Sequence, residues 1–271
     1  MLKDLHTLTP YLDFIRTCNA DPDYRDPMLL TQQQLHRNLL DAPENPNTRV
    51  FGTFEGEAIT GVFALLVLED ERYLELLAGL SRSAAAYAEL LSHLKSAHPG
   101  YQADFVYNPR NRLLQEALAA LGAEFEPEQQ KLVLCRAVPY VPDARIVPYR
   151  PEYRAQYLAL HTVDRYWTGE KVLAAPEVFR VLLALEAGEV SGYIDLTHNS
   201  TENEPYDLFV REKSRRRGLG RALLAAAVQK NRPNGMTLLV DIDNEAAIAL
   251  YEAQGFERAD GENNITAHIC L

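Results

Sequence analysis

Cysteine, histidine, positive charge and long apolar runs are all scarce in this chain, and each scarcity removes a class of protein. The only three cysteines, Cys18, Cys135 and Cys270, are odd in number and far apart, with no CxxC pair. They make neither a disulfide framework nor a thiolate metal site, and they are the reduced thiols expected of a cytoplasmic protein. The seven histidines have no ligand spacing, His93 and His98 included, so no metal is expected. No stretch approaches the ~18 consecutive apolar residues that suggest a membrane span. The start, MLKDLHTLTP from Met1 to Pro10, has neither the basic residues nor the apolar middle of a secretory signal. No membrane partner is therefore expected. Lys and Arg number 27 against 38 Asp and Glu, a formal net charge of −11. That balance argues against nucleic acid as a partner and suits an amine-bearing one.

What remains is an ordinary globular composition, 47% apolar and 24% charged, with length enough for two domains. Proline concentrates in VPYVPDARIVPYRP, from Val138 to Pro151. Such a segment is stiff and poorly helical, which suits a linker and puts the boundary near Pro142. The two halves then resemble each other. RVFGTFEGEAITG (Arg49 to Gly61) matches RVLLALEAGEVSG (Arg180 to Gly192) without a gap, each an apolar strand, a turn and a second strand. NRLLQEALAALG (Asn111 to Gly122) matches NEAAIALYEAQG (Asn244 to Gly255), each a helix with an Asn cap and a C-terminal Gly. Two matches in the same order indicate an internal duplication, with domains expected at residues 1–141 and 142–271.

In the second half the pattern predicts a strand at 144–149, a helix at 152–166, a hairpin at 179–197 and a strand at 206–211. A helix at 218–231, a strand at 236–241, a helix at 245–254 and closing strands at 256–259 and 265–271 follow. Helical crossovers imply parallel pairing and the hairpin antiparallel pairing, so each half is an α/β (α+β) mixed sheet flanked by helices.

One short stretch carries unusual charge. SRRRGLGRALL (Ser214 to Leu224) lies where strand YDLFVR (Tyr206 to Arg211) passes into a helix. Unpaired N–H groups at a helix start attract anions, and glycine lets the main chain approach closely. Arg215, Arg216, Arg217 and Arg221 would add charge-assisted bonds. Taken alone, a solvated basic turn explains the same residues.

A second motif, NxxAxxLYxxxGF from Asn244 to Phe256, follows the next strand. Together, RRRGLG and the series Asn244, Ala247, Leu250, Tyr251, Gly255, Phe256 resemble the GNAT family of acyl-CoA-dependent N-acetyltransferases. The resemblance implies acetyl-CoA as co-substrate, with its pyrophosphate on the Arg215, Arg216, Arg217, Gly218, Leu219, Gly220 loop and Arg221 close by. It implies that Leu208, Phe209 and Val210 splay from the neighbouring strand and hold the pantetheine, and that Asn244 touches it. Tyr251 would protonate the leaving thiolate, and Glu204 would be the base. Asp207 is nearer the thioester end, but strand alternation leaves its face open. His161, Asp164, Tyr166 and Trp167, in HTVDRYW, fall where the family covers its acceptor, although Trp167 serves equally as a packing anchor.

The expected function is transfer of an acetyl group to a primary amine of a small molecule or peptide. A catalytically silent acyl-CoA-binding module is the alternative. The first half lacks the glycine pair after its strand, where SRSAAAYAELL stands (Ser81 to Leu91), and has Leu118 in the place of Tyr251. It reads as a degenerate GNAT-like domain with a structural role, an arrangement similar to tandem members such as mycothiol synthase.

Overall fold

The structure is a computed structural model that describes residues 1–161 and 167–271. The chain begins with β1 (Leu2–Asp4), α1 (Leu12–Asn19), α2 (Gln32–Leu35), β2 (Thr48–Glu55), β3 (Ala58–Leu68) and β4 (Tyr73–Ser81). It continues with α3 (Ala84–Ala97), β5 (Gln102–Tyr107), α4 (Arg112–Ala120), β6 (Glu124–Phe125), β7 (Gln129–Leu134) and β8 (Ile146–Pro148). Next are α5 (Arg154–Leu158), α6 (Gly169–Ala174), β9 (Phe179–Glu186), β10 (Glu189–Thr197), β11 (Glu202–Asn203) and β12 (Pro205–Val210). The last elements are α7 (Leu219–Asn231), β13 (Gly235–Asp241), α8 (Glu245–Ala253), β14 (Phe256–Arg258) and β15 (Ile265–Cys270). Among the described residues no helix is long and apolar enough to cross a membrane.

Two compact units form, and they are not the two halves of the sequence. Met1–Gln130 joins Asp260–Leu271 in the first, and Lys131–Ala259 makes the second. The boundary expected near Pro142 is thus displaced on both sides. β15, expected to close the second half, lies between β5 and β6 in the first unit, where Ala267 and Ile269 alternate into the core. β7, expected in the first half, pairs with β14 and buries Leu132 in the second unit. The proline-rich segment is no linker between units; it runs inside the second one and ends in β8.

The first unit is a seven-stranded sheet in the order β1-β2-β3-β4-β5-β15-β6, antiparallel except for the β4–β5 pair. Strand alternation feeds two cores. Phe63 of β3 packs with Tyr87, Phe105 and Leu118 under α3 and α4, and its neighbour Val62 packs with Ile15 of α1. The second unit holds two four-stranded sheets, β12-β10-β9-β8 and β11-β13-β7-β14. Ile194 faces α7 and α8, and Tyr193 faces α5 and α6.

The expected hairpins, cap asparagines and crossover helices are all present. Both hairpins bulge at the matched glycines, Gly61 opposite Thr53 and Gly192 opposite Ala184. Gly192 is required by close approach: a Cβ there would lie 2.6 Å from the Phe209 carbonyl. The helix expected at 152–166 differs. A 3₁₀ turn at Pro151–Tyr153 leads into α5, which ends at Leu158. Asp164 and Tyr166 lie outside the described residues.

Candidate active site

The site begins with a strand that loses its neighbour. β11 pairs in parallel with β13 at Glu202–Asn203, but Pro205 has no N–H to continue a ladder, and β12 and β13 end in different sheets. Beyond the ladder the two strands part. The register fixes which main-chain groups face the gap. Arg211 N–H bonds the Ser191 carbonyl (2.9 Å), so by alternation Phe209 pairs with Tyr193. Leu208 and Val210 turn their N–H and C=O groups the other way, towards the gap. Of the three residues expected to hold a pantetheine arm, Leu208 therefore offers both main-chain groups and Val210 its N–H, the Val210 carbonyl being bonded by Arg215 Nε. Phe209 offers neither, because its own bonds are in the sheet and its ring stacks on Tyr193.

β12 runs into the basic loop. Arg216 (φ 62°) and Gly218 (φ 80°) both have left-handed backbone between residues of ordinary φ, the alternation that turns successive N–H groups into one concavity. Such a conformation is uncommon for arginine. Gly218 is the N-cap of α7 and offers no side-chain acceptor, so the first amides of that helix are left for an outside partner. The arginines divide. Arg215 Nε bonds the Val210 carbonyl (3.1 Å) and Arg217 pairs with Glu186 (3.2 Å). Arg216 and Arg221 are exposed. The Leu219 side chain is buried in the core, so only its main chain is available, and Gly220 packs against Leu250 and Val210. Arg211 Nε, at the foot of the loop, is buried without a hydrogen-bond partner.

Tyr251, from α8, is 8% exposed and lies edge-on to Phe256. Burial pushes its pKa up to about 12, and the nearby carboxylates of Asp207 and Glu204 push the same way. The phenol is thus a held proton at neutral pH. Asn244 caps α8 by accepting from Ala247 N–H (3.1 Å), and the residue is exposed. Glu204 sits at the β11–β12 junction, its main chain bonded both ways to Thr197 (2.7 and 2.9 Å).

Residues 146–256 match the family model for the acetyltransferase (GNAT) family. This stretch of the chain, from β8 to β14, is a GNAT-family domain. A mycothiol acetyltransferase of Kocuria rhizophila is 47% identical over 58 residues, 20% of this chain and 19% of that protein. The match thus spans about a fifth of that relative's length. A GCN5-related N-acetyltransferase from Sphaerobacter thermophilus has a similar fold, with TM-score 0.66 at 15% identity over 100% of this chain and 95% of that one. A tandem GNAT protein from the clavulanic acid biosynthesis pathway is similar over 100% of this chain and 98% of its own, with TM-score 0.56 and 15% identity.

The α5 side of the GNAT domain holds a cluster that motif spacing did not reveal. Asp195 of β10 is fully buried directly opposite Asp207 and accepts from Tyr157 OH at 3.0 Å. Tyr193 OH donates to Asp207 (2.7 Å), and His161 Nε2 lies 3.1 Å from Asp195. The nitrogen of His161 and oxygens of Asp195 and Asp207 all lie within 4.8 Å of one another. A lone carboxylate inside the apolar strand VSGYIDL was the available signal. Trp167 packs edge-on against Phe179 as an anchor.

The first unit has the same skeleton with every opening filled. Gly61 stands opposite Ser81 as Gly192 stands opposite Val210, so Gly79 and Ser81 correspond to Leu208 and Val210. Gly79 N–H bonds the buried Asp26 carboxylate (2.6 Å), and Tyr87 OH bonds the Ser81 carbonyl (3.1 Å). Ser83 caps α3 by accepting from Ala86 N–H, and Asn111 gives its side-chain amide to Tyr87 OH. Leu118, in the place of Tyr251, is buried core.

Proposed function

We propose that the second unit is an acetyl-CoA-dependent N-acetyltransferase acting on a primary amine of a small molecule or peptide. The observation that carries this reading is the parting of β12 from β13, with an uncapped arginine-rich helix start at one end and Tyr251 beside it. When bound, acetyl-CoA supplies an acetyl group activated as a thioester. The amides of the Arg215–Gly220 loop and the exposed Arg216 and Arg221 suit a pyrophosphate. The Leu208 and Val210 main chain suits the pantetheine amides, and an N–H there would polarise a thioester carbonyl. Asn244, exposed at the start of α8, suits a further polar contact with that arm.

An amine acceptor arrives as ammonium. For a lysine-like pKa near ~10.4, freeing its lone pair at pH 7 costs roughly 4–5 kcal/mol. Glu204 and Asp207 are the two carboxylates whose charge reaches Tyr251, and both suit proton removal. Tyr251, still protonated at neutral pH, suits donation to the departing thiolate.

The first unit we read as a degenerate, structural copy. Its strand amide and its helix start are bonded to its own side chains, and it has no phenol at Leu118.

A thermal-shift titration with acetyl-CoA tests the assignment, followed by assay of free thiol with a panel of primary amines. Ligand at about 100 times its dissociation constant should add about 2.7 kcal/mol. A shift with thiol release upholds the enzyme; a shift without it leaves an acyl-CoA-binding module; no shift refutes both.

A further inference from the structure

Five titratable side chains touch one another on the α5 face of β10 and β12. Tyr157, from α5, donates to Asp195 from 3.0 Å, equally near both carboxylate oxygens. His161, just past α5, stacks its ring on Tyr193 (4.3 Å, 17°) and brings Nε2 to 3.1 Å from Asp195. That nitrogen is buried and makes no aligned hydrogen bond, and the His161 side chain is 8% exposed. Tyr193 in turn donates to Asp207. Asp207 and Glu204, from the β11–β12 junction, both act on the Tyr251 phenol of α8.

The charges in this cluster do not balance. Two carboxylates lie side by side across the β10–β12 pair, one of them with no access to water, and no lysine or arginine side chain bonds either one among the described residues. Burial raises the Asp195 pKa, and the neighbouring Asp207 raises it further, while His161 and Tyr157 oppose both. A carboxylate pair of this kind takes up one extra proton and shares it. His161 Nε2 lies 3.1 Å from Asp195 and within 4.8 Å of an oxygen of each carboxylate. Asp207, half-buried on the strand beside the gap, is the member that an acceptor can reach.

Resting on the acetyltransferase reading above, we propose that Asp207 is the general base, with His161 and Asp195 as positioning residues that hold the proton it removes. An ammonium N–H bond breaks as an O–H bond forms on Asp207, and the freed nitrogen lone pair attacks the thioester carbon. Tyr251 gives its proton to sulfur as the carbon–sulfur bond breaks. The new amide nitrogen, carrying one proton too many, returns one to the Tyr251 phenolate. The proton shared by Asp207 and His161 leaves to water, so each turnover converts ammonium and thioester into amide, thiol and one free proton.

Two measurements test the cluster. The first needs no cofactor: the His161 ring is titrated by NMR, its signal assigned by loss in His161→Gln. Asp207→Asn and Asp195→Asn should each lower its pKa by about one unit or more, since each removes a neighbouring negative charge. An unchanged titration in Asp207→Asn overturns the coupling. The second compares two acceptors, butylamine, an ammonium at neutral pH, and hydroxylamine, already unprotonated there. Asp207→Asn should slow turnover of butylamine about 10²-fold or more and largely spare hydroxylamine. His161→Gln should displace the acidic limb of the butylamine pH profile. Equal losses with both acceptors, or removal of that limb by Glu204→Gln while Asp207→Asn keeps it, overturns the proposal. So does no turnover of either acceptor by wild type that binds acetyl-CoA. A wild type that shows no thermal shift with acetyl-CoA instead refutes the acetyltransferase reading, a failure the NMR titration does not share.

Discussion

Gly79 donates its backbone N–H to Asp26 Oδ2 at 2.6 Å, deep inside the first unit. The equivalent amide in the GNAT domain belongs to Leu208, on the strand that parts from its neighbour. Two strands in corresponding positions thus have two outcomes, closed by a carboxyl group of the same chain or left open beside a gap. Asp26 also accepts from Met28 N–H (2.7 Å), so the carboxyl is tied to the backbone at both oxygens.

Asp26→Ala should destabilise the first unit by about 1–3 kcal/mol, because the Gly79 N–H is left buried without a partner. Burial pushes the Asp26 pKa from 3.8 to about 7, against the pull of its two backbone hydrogen bonds. The native state therefore holds this proton more tightly than the unfolded chain does. Its contribution is complete below about pH 4 and is lost as pH rises through about 7. Urea denaturation at pH 5 and pH 8 should show the wild type losing stability with rising pH and Asp26→Ala losing less.

Tyr251→Phe should bind acetyl-CoA nearly as wild type does and turn over about 10²-fold more slowly. The phenol comes from α8 and not from the loop that suits the nucleotide, so calorimetry and steady-state kinetics should separate. Full activity would move the proton donor elsewhere.

Arg216→Glu with Arg221→Glu should weaken acetyl-CoA binding by about tenfold or more, an effect that shrinks in high salt. Both side chains are exposed, so the melting temperature without ligand should hardly move. Changing Arg215 or Arg217 is a poorer test, since these support Val210 and Glu186.

The hairpins, the cap asparagines and the loop glycines were legible because each rests on local chemistry. Asn111 and Asn244 cap helices wherever the chain goes next, and Gly218 needs its left-handed backbone whatever packs nearby. The exchange of β7 and β15 was not legible. A strand such as ITAHIC has the same alternation whichever sheet receives it, and only tertiary pairing decides. Asp26, Asp195 and Tyr157 were missed for a related reason: their meaning lies in partners 53 and 38 residues away in the chain. The sequence motif pointed to Glu204, whereas the cross-strand register brings Asp207 to Asp195.

Deleting Asp260–Leu271 should unfold the first unit, because β15 is an interior strand there, between β5 and β6. His268 of that strand bonds Asp104 (2.7 Å) and reaches Glu126 (3.2 Å). Burial alone would lower its pKa, but these carboxylates outweigh burial and raise it above the ordinary 6.5. Its stabilising contribution is therefore full below about pH 6.5 and fades as pH climbs through the raised value. Circular dichroism of the truncated chain should show lost structure, and His268→Ala should soften the first unit more at pH 6 than at pH 9.

The most direct measurement is the stoichiometry of acetyl-CoA binding to the intact chain by isothermal titration calorimetry. One open unit and one closed by Asp26, Tyr87 and Ser83 predict a single molecule per chain, unchanged in Asp26→Ala and weakened by the Arg216→Glu, Arg221→Glu pair. Two molecules per chain, or a single one indifferent to those arginines, would contradict the account.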